Sequence, residues 1–373
     1  MPQRLFLPVL PVHYSLSTFL TMLHLDGSQG EGGGQVLRTS LSLSALTGTP
    51  FRLENIRAGR PKPGLRPQHL TAVRAVADLC QASLKGDRVN STMLDFVPGT
   101  RPQGGTYTFA VNDAAATHSA GAITLIFQAL LWPLLFANEA TALTLRGGTH
   151  VPFSPPYPYL AEVALPAYRR FGPNVSLKLD RYGWNPTGDG QMRATIQPVT
   201  QFQAAAFTPI PDETVQGLAV VTALPSHIPQ RMERRAHNLL TALGLKSRIK
   251  PVREMGEHPG AGLFLWRPQA GFSALGAKGV PADKVAAAAV ADLSHFIDNP
   301  SAVDPHLADQ LLIPMALAHG SSYFTTSEIT SHTLTNIAIL RQWLNISIQV
   351  VGEPGQPGQI TITGIGFTRM NTQ

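Results

Sequence analysis

The sequence predicts an α/β (α+β) fold in which a unit of one helix and an alternating pair of strands recurs three times. Helices are predicted near 68–82, 158–171 and 334–344, because apolar residues recur there at helical spacing. Each helix is followed by a strand in which apolar and polar residues alternate, and then by a short return strand. The interval between the second and third copies exceeds the first interval by about one small domain. We therefore expect three repeats with an insertion in the third.

The first unit begins with a strand near residue 22 and the glycine-rich run Gly27-Ser28-Gln29-Gly30-Glu31-Gly32-Gly33-Gly34. A helix follows this run directly. We expect it to end at Gly48, because glycine is favoured just past a helix end. A strand at 51–57 and a basic loop at 57–64 come next. A helix at 68–82 and strand-like segments up to residue 97 complete the unit.

The second unit follows a strongly apolar helix at 121–135, which we expect to pack centrally. Its strand, helix and alternating strands are predicted at 141–145, 158–171, 175–179 and 192–196. The strands of the third unit are predicted at 346–350 and 360–362. The insertion should contain strand, helix, strand, strand and helix, and its last helix, at 281–296, is rich in alanine.

These units predict a chain of three parts. Residues 1–21 match no repeat and are expected to be a dispensable extension, because their apolar run is short and lacks a clear signal-peptide cleavage site. Residues 22–206 and 302–373 are expected to form a large domain of three repeats. Residues 207–301 are expected to form the inserted small domain.

Composition favours a globular protein with an anionic partner. Of the 373 residues, 43% are hydrophobic and 14% are charged, with a net charge of +6, and the isoelectric point is near 9.6. A basic balance favours anionic ligands without proving any. The single Cys80 cannot form an internal disulfide, so nothing indicates an oxidising compartment and a cytoplasmic location is expected. No membrane partner is predicted.

The glycine-rich run has two possible roles. Five glycines fall within the eight residues 27–34, with the carboxylate of Glu31 among them. Glycine lets the backbone approach a ligand closely, and a helix that starts after such a loop has free N–H groups for an anion. A tight strand-to-helix turn explains the same residues. The run is neither a Walker P-loop nor a GxGxxG fingerprint.

Two polar sites in the sequence also allow two interpretations. The basic loop carries four cationic residues within ten positions: Arg57, Arg60, Lys62 and Arg66. They form either a solvated surface or a clamp for polyphosphate or nucleic acid. Arg38, one helical turn after the glycine-rich run, could join such a clamp. Later in the chain, Asp309 and Gln310 interrupt a nearly continuous apolar helix. They are either structural groups with buried partners or part of a functional site.

His332 opens the helix of the third repeat. A lone histidine is most often structural, but a helix N-terminus disfavours imidazolium and keeps the ring neutral. A neutral ring nitrogen is what nucleophilic attack on phosphorus requires, and the same helix end offers N–H donors to a phosphate. Position therefore makes His332 a candidate nucleophile.

Several motifs together resemble the RNA 3′-terminal phosphate cyclase family. They are DGSQGEGGGQVLRTSLSLSALTG (26–48), IRAGRPKPGLRPQHLTAV (56–73), LRGGTHVPFSPP (145–156), LADQLLIPMALA (307–318) and HTLTNIAI (332–339). The resemblance covers nearly all of 22–373 and is weakest across the insertion.

The resemblance implies both a fold and an ATP-dependent reaction. The fold would have three βαβαββ-type units, like the C-terminal domain of translation initiation factor 3, with a smaller inserted domain. In the reaction a histidine becomes adenylylated, AMP moves to an RNA 3′-phosphate, and the 2′-hydroxyl attacks to give a 2′,3′-cyclic phosphate. The implied partners are ATP, an RNA with a 3′-phosphate end and a divalent cation, Mg²⁺ or Mn²⁺.

The resemblance also assigns roles to individual residues. His332 would be the nucleophile, Asp309 would orient it, and Glu31 would lie near the metal and phosphates. Pro152 and His306 would lie against the adenine, His306 standing where relatives often have Tyr. The other implied nucleotide contacts are Arg38, Arg57, Arg60, Gln68, Gln128, Leu307, Ala308, Asp309 and Gln310.

Two other classes of function remain open from the sequence. A non-catalytic RNA-binding ribosome-assembly factor of the same fold would lack the nucleophile, which is present here as His332. An enolpyruvyl transferase shares a repeated-unit architecture, but it would be indifferent to ATP. Labelling with ATP separates both classes from a cyclase.

Overall fold

The computed structural model describes residues 22–30, 33–115, 119–211, 214–299 and 301–369. Residues 1–21, predicted to be dispensable, and Glu31, predicted to be catalytic and metal-binding, lie outside the described residues. The described strands form four mixed sheets of four strands each, with helices packed against them. The predicted α/β class is therefore confirmed.

The first sheet contains the elements β1 (Leu23–Asp26), α1 (Gln35–Thr47), β2 (Phe51–Glu54), α2 (Pro67–Cys80), β3 (Ser83–Lys85) and β4 (Leu94–Val97). Its strand order is β1-β2-β4-β3, with β1 and β2 parallel and the other neighbours antiparallel. Gly48 ends α1 with a φ of 73°, as predicted. The strand predicted at 51–57 ends earlier, because Asn55 and Arg57 have positive φ angles of 53° and 55° that lie outside the β region.

The second sheet repeats this arrangement with the elements β5 (Gly105–Ala110), α3 (Ile123–Leu135), β6 (Thr141–Gly147), α4 (Tyr157–Tyr159), α5 (Leu165–Arg169), β7 (Asn174–Arg181) and β8 (Gly190–Gln197). The order is β5-β6-β8-β7, again with a parallel first pair. A π-helical turn at Leu160–Ala164 joins α4 to α5. The helix predicted at 158–171 is thus one irregular helical segment.

The chain then adds β9 (Ala206–Phe207) and enters a separate sheet, with the elements β10 (Val215–Thr222), α6 (His227–Ala242), β11 (Ser247–Glu254), β12 (Gly260–Arg267), β13 (Ala270–Leu275) and α7 (Ala282–Asp298). The order of this sheet is β11-β10-β12-β13. Three strands, not the predicted two, lie between α6 and α7. The two-residue turn between β12 and β13 uses Gln269 at a φ of 68°, so the Asn-Gly or Gly signal of most such hairpins is absent.

The chain returns through α8 (Pro305–Leu317), β14 (His319–Thr326), α9 (Ser331–Trp343), β15 (Ser347–Val351) and β16 (Gly358–Ile365). The order β15-β16-β14-β9 pairs β14 with β9 in parallel, although the inserted sheet separates them in sequence. This third sheet therefore has the same pattern as the first two, a parallel pair extended by two antiparallel strands.

One large core joins the helices of these three sheets, and α3 lies at its centre. Helices α1 and α2 both pack against α3, and every residue of α3 except Gln128 is buried. The sequence predicts a strongly apolar, centrally packed helix at 121–135, and the helix found there begins at Ile123. The exception places one amide side chain at the edge of the core.

The inserted sheet has a core of its own beneath α6 and α7, with Met232, Ala236, Leu265 and Leu293 fully buried or nearly so. Its other face packs on Trp184, which lies between β7 and β8, and Val220 and Phe264 are buried against the indole. In the part of the chain that the structure describes, no helix is both long and apolar enough to cross a bilayer.

Candidate active site

The glycine-rich loop lies directly against α9. Gly30 has a φ of 59°, and a Cβ there would collide with the side chain of Thr335. On the same helix, Gln342 donates a 3.0 Å hydrogen bond from Nε2 to Oε1 of Gln29. Both the backbone conformation and the close approach therefore require glycine at position 30.

Asn336 connects three helices at this point. Its Oδ1 accepts hydrogen bonds from Gln35 Nε2 at 3.1 Å and Thr39 Oγ1 at 2.8 Å, both on α1. Its Nδ2 donates to the carbonyl oxygen of Asp309 on α8 at 3.3 Å. Asn336 is only 1% exposed, so these bonds fix α9 against α1 and α8 in a region closed to solvent.

His332 lies in the first turn of α9, where the sequence predicts it. Its side chain is half-buried. Thr330 caps this helix, and its Oγ1 accepts a 3.1 Å hydrogen bond from the backbone N–H of Thr333. His332 precedes Asn336 by four residues, so both side chains lie on the same face of α9. The face of α9 that meets α1 and α8 thus carries the predicted nucleophile.

Helix α8 presents its polar residues from a firmly held first turn. The buried carboxylate of Asp304 caps α8 by accepting hydrogen bonds from the backbone N–H groups of His306 and Leu307, at 2.7 and 3.0 Å. It also accepts from the hydroxyl of Tyr159 and from the N–H of Gly271 in the inserted sheet. The start of α8 is therefore tied both to α4 and to the inserted sheet.

The predicted contacts on α8 divide into two groups. His306 is exposed, and Asp309 and Gln310 are half-buried. Gln310 Oε1 accepts hydrogen bonds from Gln128 Nε2 at 2.7 Å and from the Tyr168 hydroxyl at 3.2 Å. The side chains of Leu307 and Ala308 are wholly buried in the core, so only their backbone can contact a ligand.

Arg38 lies at the meeting point of these helices. Its guanidinium donates to Oε1 of Gln35, and its buried Nε has no hydrogen-bond partner among the described residues. Burial lowers the pKa of Arg38 to about 10, and the charge of Asp309 opposes that shift. A desolvated cation that is still charged at neutral pH therefore lies near Asp309.

His69, which the sequence analysis did not single out, lies beside Gly34 and near three arginines of the candidate site. Burial lowers its pKa to about 3, and the charges of Arg38, Arg57 and Arg66 add to that effect. Its Nδ1 accepts a 3.3 Å hydrogen bond from the backbone N–H of Arg66, which places the proton of the neutral ring on Nε2. A Cβ at Gly34 would lie 2.5 Å from that Nε2. The sequence feature that could have indicated His69 is its position next to Gln68 in the motif at 56–73.

The two arginines of the basic loop play different parts. Arg57 donates from Nη1 to the carbonyl oxygens of Lys62 and Gly64, at 2.8 and 3.0 Å, and so shapes its own loop. Burial lowers the pKa of Arg57, and Arg66 and Arg60 add to that shift. Arg60 is exposed, and its Nη2 would lie 3.0 Å from a Cβ at Gly33. The basic loop and the glycine-rich loop therefore meet at Arg60.

Gln68 and the loop after β6 border the same region. Gln68 Oε1 accepts a 2.8 Å hydrogen bond from the N–H of Ala122, directly before α3. Pro152 is exposed. Phe153, which the sequence reasoning missed, is wholly exposed and has a φ of 60°. A bulky residue held in this conformation is strained, and its ring protrudes beside Pro152.

Among the described residues, no group of three or more His, Cys, Asp or Glu side chains is arranged to hold a metal ion. Mg²⁺ commonly binds through one or two carboxylates and the phosphates of a substrate, and keeps several waters.

Comparisons with known proteins agree with the motifs. A family model described as RNA 3′-terminal phosphate cyclase matches residues 29–350. An RNA 3′-terminal phosphate cyclase of Gloeothece citriformis is 48% identical over 327 residues, which cover 86% of this chain and 93% of that protein. One of Archaeoglobus fulgidus is 38% identical over 331 residues, covering 89% and 98%. A solved structure, the enolpyruvyl transferase NikO from Streptomyces tendae, matches with a TM-score of 0.38 at 12% identity, covering 92% of this chain and 49% of that one.

Proposed function

The chain belongs to the RNA 3′-terminal phosphate cyclase family, enzymes of the ligase class, and we propose that it converts an RNA 3′-terminal phosphate to a 2′,3′-cyclic phosphodiester with consumption of ATP. The observation that supports this most is the junction at Asn336. It joins α1, which follows the glycine-rich loop, to α9, which carries His332.

The triphosphate of ATP binds at the start of α1 in this proposal. Gly34 precedes α1 and no side chain caps the helix start, so the first N–H groups of the helix are available to bind an anion. Arg38 and Arg60 add guanidinium donors, which match phosphate oxygens. The neutral His69 adds a donor at Nε2 without adding charge.

His332 supplies the nucleophile. A ring nitrogen of the neutral imidazole attacks the α-phosphorus of ATP, the bond to the β-phosphate oxygen breaks, and pyrophosphate leaves. The ring loses a proton and carries AMP as a phosphoramidate. Asp309 acts as a positioning residue for His332, as carboxylates do for other catalytic imidazoles.

Two further steps complete the reaction. An oxygen of the RNA 3′-phosphate attacks the phosphorus of the histidine-bound AMP, and the P–N bond breaks as the ring takes up a proton. The 2′-hydroxyl then attacks the terminal phosphate, loses its proton and releases AMP. The proposed products are a cyclic end, AMP and pyrophosphate.

The adenine is proposed to lie beside α8. The linked amides of Gln128 and Gln310 form a polar wall there, and the exposed His306 offers a flat ring. Pro152 and the protruding Phe153 offer apolar surface on which a base can stack. The amides provide hydrogen-bonding specificity and the rings provide buried area.

A divalent cation, Mg²⁺ or Mn²⁺, is proposed to bind with the triphosphate, with Glu31 as the protein carboxylate. When bound, such an ion neutralises phosphate charge. Arg38 and Arg60 contribute to the same end from the protein side.

We also propose the predicted domain division, with a large domain at 22–206 and 302–373, an inserted domain at 207–301 and a dispensable segment at 1–21. The shared strand order of three sheets supports units like the C-terminal domain of translation initiation factor 3. The separate core beneath α6 and α7 supports the inserted domain. A cytoplasmic location stays a prediction.

The test uses an RNA with a labelled 3′-phosphate. With ATP, the end should become resistant to phosphatase and form a 2′,3′-cyclic phosphate. A matched RNA with a 2′-deoxy terminal sugar should accept AMP and accumulate as the adenylylated end, because the attacking hydroxyl is missing. Cyclisation without ATP would contradict the proposal, and RNA binding without any AMP transfer would favour a non-catalytic assembly factor.

A further inference from the structure

The inserted domain carries a basic groove between α6 and α7. The groove has a volume of about 440 Å³, and its charged lining consists of Arg231, Arg234, Arg235, Lys284 and Asp283. Four cations thus face a single carboxylate. None of these residues belongs to the site described above.

We propose that this groove binds the phosphodiester backbone of the RNA substrate, upstream of its 3′ end. This inference rests on the proposed function, because that function makes single-stranded RNA the polyanion that the chain must hold. Guanidinium and ammonium groups along a groove are how proteins follow a nucleic-acid backbone without reading its sequence.

The spacing of residues along α6 gives the groove its charge. Met232, Ala236 and Leu240 are buried beneath the helix, so Arg231, Arg234 and Arg235 project from its outer side. All three arginines are exposed. Like charges at such close spacing destabilise an isolated helix by a few tenths of a kcal/mol per pair, so the cluster does not serve helix stability.

The carboxylate does not neutralise the groove. Asp283 pairs with Arg231 at 2.8 Å, which orients that guanidinium across the space between the two helices. Arg234, Arg235 and Lys284 form no ion pair among the described residues. A solvated helix face normally mixes both signs of charge, whereas this groove presents three cations together.

Helix α7 connects the groove to the candidate active site. Lys284 lies near its beginning, and Asp292 lies in its second half. Burial raises the pKa of Asp292, and the nearby His306 of α8 opposes that shift. The distance from Lys284 to Asp292 along the helix axis is about 12 Å at 1.5 Å per residue. At roughly 3.4 Å per phosphate of a stacked strand, about four nucleotides span that distance.

The test compares two double variants. Arg234→Glu with Arg235→Glu reverses two charges in the groove. The control, Arg248→Glu with Lys250→Glu, reverses two exposed charges on β11. Ile249 packs beneath α6, so its neighbours Arg248 and Lys250 point to the face of the sheet that lacks the helices.

Binding is measured by fluorescence anisotropy with a 3′-phosphorylated 12-nucleotide RNA. The groove variant should bind at least tenfold more weakly than wild type, and the slope of log affinity against log salt should fall by about 1.4, the value for two lost contacts to a single strand. The control should bind within twofold of wild type. Equal binding by the groove variant and wild type, or equal weakening in both variants, would overturn the inference.

Kinetics separate this inference from the proposed function. The groove variant should label itself with ATP at the wild-type rate and should cyclise a 3′-phosphorylated trinucleotide with an unchanged KM, because a trinucleotide does not reach the groove. If the wild type neither labels nor cyclises, the proposed function fails, and the 12-nucleotide binding comparison still decides the groove. If charge reversal prevents folding, Arg234→Gln with Arg235→Gln should show a smaller loss of the same kind.

Discussion

The hydroxyl of Thr39 donates a 2.8 Å hydrogen bond to Oδ1 of Asn336, across 297 residues of sequence. The two residues are almost wholly buried, and they join the helix after the glycine-rich loop to the helix of His332. Because His332 lies one turn before Asn336, its position depends on this bond. The relationship leads to the first prediction.

Replacing Asn336 with alanine should both destabilise the protein and slow its labelling by ATP. The change removes one acceptor shared by Gln35 and Thr39 and one donor to Asp309. Leaving buried polar groups without partners costs about 1–3 kcal/mol. Chemical denaturation and the labelling rate measure the two effects. Ala338→Ser, an exposed change on the same helix, is the control, and equal behaviour of the two variants would contradict the role of Asn336.

The second prediction concerns acid stability. The pKa of His69 is lowered from 6.5 to about 3 in the folded protein, chiefly by burial. Between these values the unfolded chain takes up a proton that the folded protein does not, so the free energy of unfolding falls as the pH falls. One such histidine contributes a slope of about 1.4 kcal/mol per pH unit within that range.

His69→Asn should therefore flatten the pH dependence of stability between about pH 4 and pH 6. Asparagine retains an acceptor for the N–H of Arg66 but does not titrate there. The measurement is urea denaturation at a series of pH values. His150 is also buried, with a pKa lowered to about 3, so removing both histidines should reduce the slope by about twice as much. Parallel stability curves for wild type and His69→Asn would refute this account.

The third prediction separates two arginines that the sequence alone treats alike. Arg60→Ala should slow adenylylation strongly but change the unfolding free energy by only about 0.5 kcal/mol or less, since Arg60 is exposed. Arg57→Ala should also lose stability, because its guanidinium holds two backbone carbonyls. Hydrogen bonds to charged groups are worth about 1.5–3 kcal/mol. Matching stability losses in the two variants would show that the assignment is wrong.

The sequence predicted much of the fold because its signals are local. The apolar run of α3, the glycine at the end of α1 and the alternation in β15 each reflect one element in its immediate surroundings. The turn at Gln269 carries no such signal, and the third strand between α6 and α7 was missed there. The early end of β2 likewise depends on the positive φ angles of Asn55 and Arg57. Neither residue type requires a positive φ, so the sequence does not reveal this end.

The site was harder to predict, because its residues act through contacts between distant segments. The prediction for His332 rests on its place at a helix start, which is a local property and which the structure bears out; its role as nucleophile stays a prediction. Asn336 and His69 lie within the family motifs, but the motifs do not show what they contact. Asn336 bonds to Thr39, and His69 lies beside Gly34 and near three arginines. The side chains of Leu307 and Ala308 point into the core, so a ligand contact there would use their backbone, which the sequence pattern does not reveal. Spacing along one helix does not reveal which neighbours the other helices supply.

The last prediction decides the mechanism. His332→Asn should abolish covalent labelling by ATP that is labelled at its α-phosphate, and it should block cyclisation, because no other group at the start of α9 can form the phosphoramidate. His332 is only half-buried, so the variant should remain folded, which the thermal midpoint checks. The wild-type adduct should be labile in acid and stable in base, as a P–N bond is and a serine or carboxylate ester is not.

Two other histidines complete this experiment. His319→Asn, an exposed change on β14, should label as wild type does. His306→Ala should raise the ATP concentration needed for labelling but retain part of the signal, because it removes a stacking surface and not the nucleophile. Mass spectrometry of the labelled wild type should find AMP on the peptide that contains His332. A covalent AMP adduct in His332→Asn that maps to another residue would show that the nucleophile lies elsewhere.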